Sequence, residues 1–65
     1  SSVDALTEAL LNILQEVEMG AIEDGLEEEE AEDMAADAVL LAVAQAFQSA
    51  GLTAEYSAVY NMIGK

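Results

Sequence analysis

Three observations predict that this chain of 65 residues is all-α, a small three-helix bundle. Apolar residues recur at alternating steps of three and four, no stretch alternates as a half-buried strand would, and glycines interrupt the apolar segments where helices should stop. The expected helices cover about residues 2–19, 27–50 and 53–63, within a single domain spanning 1–65. A chain this short buries only about 60% of its unfolded surface, so a staple or a partner is usually needed to stabilise it.

The first helix rests on Val3, Leu6, Leu10, Ile13 and Val17, an amphipathic stripe widened by Leu11 and Leu14. Ser1 or Ser2 should cap its start, with Asp4 three residues after Ser1 as a weak capping box. The next positions in register are Gly20 and Asp24, so the stripe is too short for a coiled coil. Gly20 is the expected left-handed stop after Met19. A linker from Ala21 to Leu26 follows, with Gly25 as a second break and Ile22 and Leu26 as apolar anchors.

The second helix should begin near Leu26 or Glu27, in the densest charge of the chain: Glu27, Glu28, Glu29, Glu30, Glu32 and Asp33. Carboxylates in a first turn are favoured by the positive end of the helix dipole. Glu28 with Glu32 and Glu29 with Asp33 are like-charged pairs four apart, each unfavourable by about a few tenths of a kcal/mol, so that turn should fray.

From Met34 to Phe47 almost no polar face remains. Val39, Leu40, Val43, Ala46, Phe47 and Ala50 form one strip, and Met34, Ala38, Leu41 and Ala42 another. A helix apolar all round must be covered all round. Two further helices of the chain would serve, or a second copy on one side. Marginal size favours the second copy and hence a homodimeric helical bundle. Its core would use Val39, Leu40, Val43 and Phe47 with Leu10 and Leu14. Gly51 is the stop, Leu52 should fold back on the last turn, and Thr53 should cap a final helix with Leu52, Tyr56, Val59, Tyr60 and Ile63 on its apolar side.

Composition narrows function mostly by exclusion. An apolar share of 54% argues against intrinsic disorder. There is no cysteine, histidine, arginine, tryptophan or proline, which removes disulfides, soft-metal ligation and most nucleophile–base chemistry. The chain is not expected to be an enzyme or to carry a cofactor. Asp37 is the one acid inside the apolar stretch and the only carboxylate placed for general acid–base work. Glu23, Asp24, Glu27 and Glu28 surround a glycine, yet they lack the alternate ligand spacing of a calcium loop. The longest near-apolar run, Ala38 to Phe47, is about half the roughly 20 residues a membrane span requires. Ser1-Ser2-Val3-Asp4 carries neither an initiator methionine nor a signal-peptide pattern, so the chain reads as a segment of a longer protein, and the compartment stays open.

Charge is one-sided: 14 acids face a single lysine, for a net charge of −13. Only Glu55 and Lys65 lie beyond residue 37. Direct binding to nucleic acid is disfavoured, because phosphate backbones are held by lysine and arginine. The same physics favours a protein partner with a basic surface, met by Glu23, Asp24, Glu27, Glu28, Glu29, Glu30, Glu32 and Asp33. The reading that fits is a non-catalytic docking, dimerisation or assembly module, with apolar helix faces for association and an acidic helix end for partner selection. The alternative is an acidic inhibitor that imitates DNA and occupies a basic nucleic-acid-binding protein. A salt-loving origin would also supply acid without a partner, but would spread the glutamates. If acidic ends of two copies meet, assembly takes up protons, so association should be tighter at about pH 5.5 than at pH 7.5.

Overall fold

A computed structural model describes all 65 residues as three helices and no strand: α1 (Ser2–Glu23), α2 (Glu28–Ser49) and α3 (Thr53–Tyr60). The all-α, three-helix domain expected from the periodicity is what the chain forms. The Ser1 hydroxyl accepts a hydrogen bond from the Asp4 amide at 3.3 Å, satisfying one of the free donors at the start of α1.

The end of α1 departs from expectation. Gly20 does not stop the helix, which runs on to Glu23 and leaves a loop of Asp24–Glu27 in place of the linker expected over Ala21 to Leu26. The left-handed residue is Gly25, at φ 99°. Its amide donates to the Ile22 carbonyl, and the Leu26 amide reaches back to Ala21 at 3.0 Å, the paired bonds of a Schellman motif. Gly51, at φ 78°, repeats the device: its amide donates to Gln48 and the Leu52 amide to Phe47. Both helices of 22 residues thus end on the same Gly-Leu pair.

Glycine decides termination through its φ, so the two sites should answer alanine oppositely. Gly20 lies in the helix with open space around an added Cβ, and Gly20→Ala should stabilise the domain by about 0.5–1 kcal/mol. Gly25→Ala forces a side chain into the left-handed region and should destabilise by about 1–2 kcal/mol. Thermal unfolding would separate them by several degrees, since 1 kcal/mol moves the midpoint of a domain this size by about 4–8 °C. A lower midpoint for Gly20→Ala would place the helix end back at residue 20.

Two further boundaries and one cap shift. α2 starts at Glu28, with Glu27 at the N-cap making no side-chain capping bond; its first turn is formed, the Ala31 amide bonding to the Glu27 carbonyl at 2.9 Å. Thr53 is the first residue of α3 and not its cap; Leu52 holds that position and offers no side-chain acceptor. α3 ends at Tyr60, and residues 61–64 continue as turns. The Tyr56 and Tyr60 rings, one turn apart, lie tilted with centroids 5.5 Å apart.

Both α1 and α3 pack on α2, and they do not meet each other. Ala44 and Ala35 are nine residues apart, which places them about 180° around α2, and both are fully shielded from solvent. The central helix is therefore covered on two opposite sides and left open between them. The molecule is a slab of 38 × 29 × 14 Å with a radius of gyration of 12.9 Å, where a compact domain of this length would have about 11 Å.

A conventional core is missing. The four buried residues are Ala21, Ala31, Ala35 and Ala44, and no large side chain is fully enclosed. Alanine permits the closest approach of two helices, and two of the four, Ala21 and Ala31, flank the α1–α2 loop. Of the two ways expected to cover the apolar length of α2, its own two neighbouring helices do not suffice. Its large residues are half-buried or, as with Leu41 and Met34, exposed. The reason is geometric: two neighbours packed on opposite sides of one helix cannot also close over it.

Candidate functional site

The largest departure from an ordinary surface lies along the α1–α2 seam. The helices run antiparallel, Leu6 of α1 sharing a cleft with Phe47 of α2 and Leu14 sharing one with Ala36. One cleft, of about 440 Å³, is lined by Thr7, Leu10, Leu11, Leu14, Ala36, Val39 and Leu40. The other, of about 370 Å³, is lined by Leu6, Ala9, Leu10, Ile13, Ala42, Val43, Ala46 and Phe47. Leu10 belongs to both.

The residues singled out for self-association fall on these linings. Leu10, Leu14, Val39 and Leu40 line the first cleft, and Leu10, Val43 and Phe47 the second, all half-buried. Sequence reasoning missed Ala36, which the sequence hides among many alanines but which is exposed on the floor of the first cleft. It also gave no weight to how far Leu11 and Leu6 stand out: they are 50% and 61% exposed. Neither lining contains a charged group, and the one hydroxyl, on Thr7, is too little to orient a small polar ligand.

The acidic residues are distributed around the loop end. Glu23 closes α1, Asp24 is its C-cap, Glu27 is the N-cap of α2, and Glu28, Glu29, Glu30, Glu32 and Asp33 occupy the first turns of α2. All eight are exposed, and no group of three carboxylates converges as a metal site would require. They form no ion pair, the single one in the molecule joining the Ser1 ammonium to Asp4 at 3.6 Å.

Asp37 has a structural occupation. Half-buried on α2, its Oδ1 accepts a hydrogen bond from the Gly64 amide at 3.1 Å and ties the turn after α3 back onto α2. Gly64 takes φ 81° there. Lys65 shares a small cleft with Asp33, Asp37, Ala36 and Leu40, so Ala36 and Leu40 face both this tether and the seam. No helix is long and apolar enough to cross a membrane. Comparison with protein-family models, with curated proteins and with solved structures finds no match to this chain.

Proposed function

We propose that this protein is a non-catalytic interaction module that docks through the apolar seam of α1 and α2 and uses its acidic loop end to favour a basic protein partner. The observation that carries the reading is that no large apolar side chain is fully buried while two charge-free clefts lie open beside them. Contiguous exposed apolar surface rimmed by polar residues is what protein interfaces present before they close. Carboxylates at one end would accelerate encounter with a basic surface and contribute less as salt rises. Imitation of DNA has only the net charge behind it and leaves the clefts without a use.

A defined probe tests this: a helical peptide with leucines at i, i+3, i+4 and i+7 and lysines elsewhere, titrated calorimetrically into the chain. Saturable binding with a negative heat-capacity change is expected, since apolar surface is removed from water. Affinity should fall about tenfold or more from low to high salt. Replacing Glu27, Glu28, Glu29 and Glu30 by glutamine should flatten that salt dependence and leave the apolar part of the affinity. Absence of saturable binding would reject docking of a basic helical partner; binding insensitive to the four glutamines would reduce the acidic run to solvated surface.

A further inference from the structure

We infer that the occupant of the Leu10–Leu11–Leu14/Ala36–Val39–Leu40 cleft is a second copy of this chain, docked about a two-fold axis so that Leu11 of each copy seats over Ala36 of the other. The inference rests on the docking reading of the seam and names the occupant of one of its clefts, the acidic loop end being left to the basic partner.

Area is the first argument. A compact monomer of 6.8 kDa exposes about 3,950 Å². This chain exposes 4788 Å², an excess of about 800 Å², which is what each partner gives up in a standard-size protein interface. The deficit in self-burial therefore has the dimensions of one dimer face. The slab shape points the same way, because a stable domain needs a second layer packed on its apolar face, and α3 lies beside α2 without reaching α1.

The second argument is self-complementarity. An isologous interface requires one patch to carry both the protrusion and the hollow that receives it. This cleft does: Leu11 stands 50% exposed on α1, and opposite it on α2 Ala36 is an exposed methyl with room above it. The seven residues of this lining include no carboxylate, Asp33 and Asp37 standing beside Ala36 together with Lys65, whereas the remainder of a chain of charge −13 would repel its copy. Repulsion elsewhere and attraction here favour the charge-free seam over the acidic surfaces for self-association, and added salt should tighten it.

A pair of exchanged residues tests the geometry. Leu11→Ala leaves two hollows facing each other, and Ala36→Leu makes two protrusions collide. Both residues are exposed in the single chain and both substitutions keep strong helix formers, so each variant should retain its helical circular dichroism. By sedimentation equilibrium on the full chain, the wild type should be dimeric, and each variant alone should dimerise at least tenfold more weakly. An equimolar mixture should recover near wild-type association. In the mixed pair the side chain shortened at position 11 of one copy meets the side chain lengthened at position 36 of the other, and the second contact keeps the native Leu11 over the native Ala36. Met19→Glu, a charge on an exposed residue outside both clefts, should leave association within about threefold of wild type.

A wild type that stays monomeric while the leucine–lysine peptide binds would overturn the second copy as occupant and leave the docking function standing. A dimer indifferent to both substitutions, or a mixture no tighter than its components, would overturn the Leu11–Ala36 geometry. Loss of peptide binding in a chain that still dimerises and shows the exchange would reject the basic partner and retain the dimer.

Discussion

Ala35→Asp should abolish the fold, while the same substitution one residue later should leave the helices intact. Ala35 is fully shielded and Ala36 is exposed, though they are neighbours on one helix. An aspartate at 35 would enter a space sized for a methyl group, with no counter-charge or donor to meet it. Ionised, it costs several kcal/mol even after relaxation. Neutral, it still costs roughly 1–3 kcal/mol for an unmade hydrogen bond, plus the strain of overpacking. A single core at this length supplies at most about 3–5 kcal/mol, so either route exhausts it. At 36 the carboxylate reaches water and the cost is about 0.7 kcal/mol of helix propensity, together with the loss of the second copy. Far-UV circular dichroism at about 20 °C, with a melt of each variant, is the measurement: no helical signal is expected for Ala35→Asp and a cooperative transition for Ala36→Asp. If Ala35→Asp melted cooperatively near the wild type, the close contact of α1 and α2 would be misplaced.

That contrast also shows what the sequence discloses. Periodicity made the helices and their order legible, because the stripe from Val3 to Val17 and the apolar run from Met34 to Phe47 admit no other period. Termination at Gly51 was legible since a glycine and a following leucine sit where the apolar run ends. Gly20 misled for the same reason. It comes where the stripe loses register, but a glycine is only permitted to take positive φ, and the bonds that fix the helix end form at Gly25 and Leu26. The recurrence of Gly-Leu at 25–26 and 51–52 is the better signal, since it marks both Schellman motifs.

Burial was less legible than periodicity. An apolar residue states a preference for removal from water, not whether its own chain has material to cover it. The continuous apolar face of α2 argued for complete coverage, yet α1 and α3 take opposite sides and leave Leu40, Val43 and Phe47 half-buried. Which of 13 alanines form the close contacts was not readable either. Ala35 and Ala36 are chemically identical, and only the direction of approach of α1 separates the enclosed one from the open one. The role of Asp37 depended on a contact 27 residues away, with Gly64, that no local pattern encodes.

Thermal stability should depend on protein concentration, by a wide margin. If a second copy seats on the cleft, folding and association are coupled, and anything that binds the native chain alone raises its apparent stability by mass action. Going from a total concentration near the dissociation constant to one about a hundredfold above it adds about 1.2 kcal/mol per chain, because the free copy rises only as about the square root of the total, and at about 4–8 °C per kcal/mol the midpoint should rise by roughly 5–10 °C. Ala36→Asp removes the contact without entering the shielded region, so its midpoint should stay within a few degrees across the same range and lie close to that of dilute wild type. Scanning calorimetry or circular dichroism over a hundredfold dilution series of both proteins, repeated at low and high salt, reads the effect directly. Salt should raise the wild-type midpoint further, because carboxylates of the two copies repel one another and screening weakens that repulsion. A wild-type midpoint that did not move with concentration would mean that the half-buried leucines and valines of α1 and α2 are as covered as this protein requires. The open seam would then be a property of the folded monomer, available for a partner of different sequence.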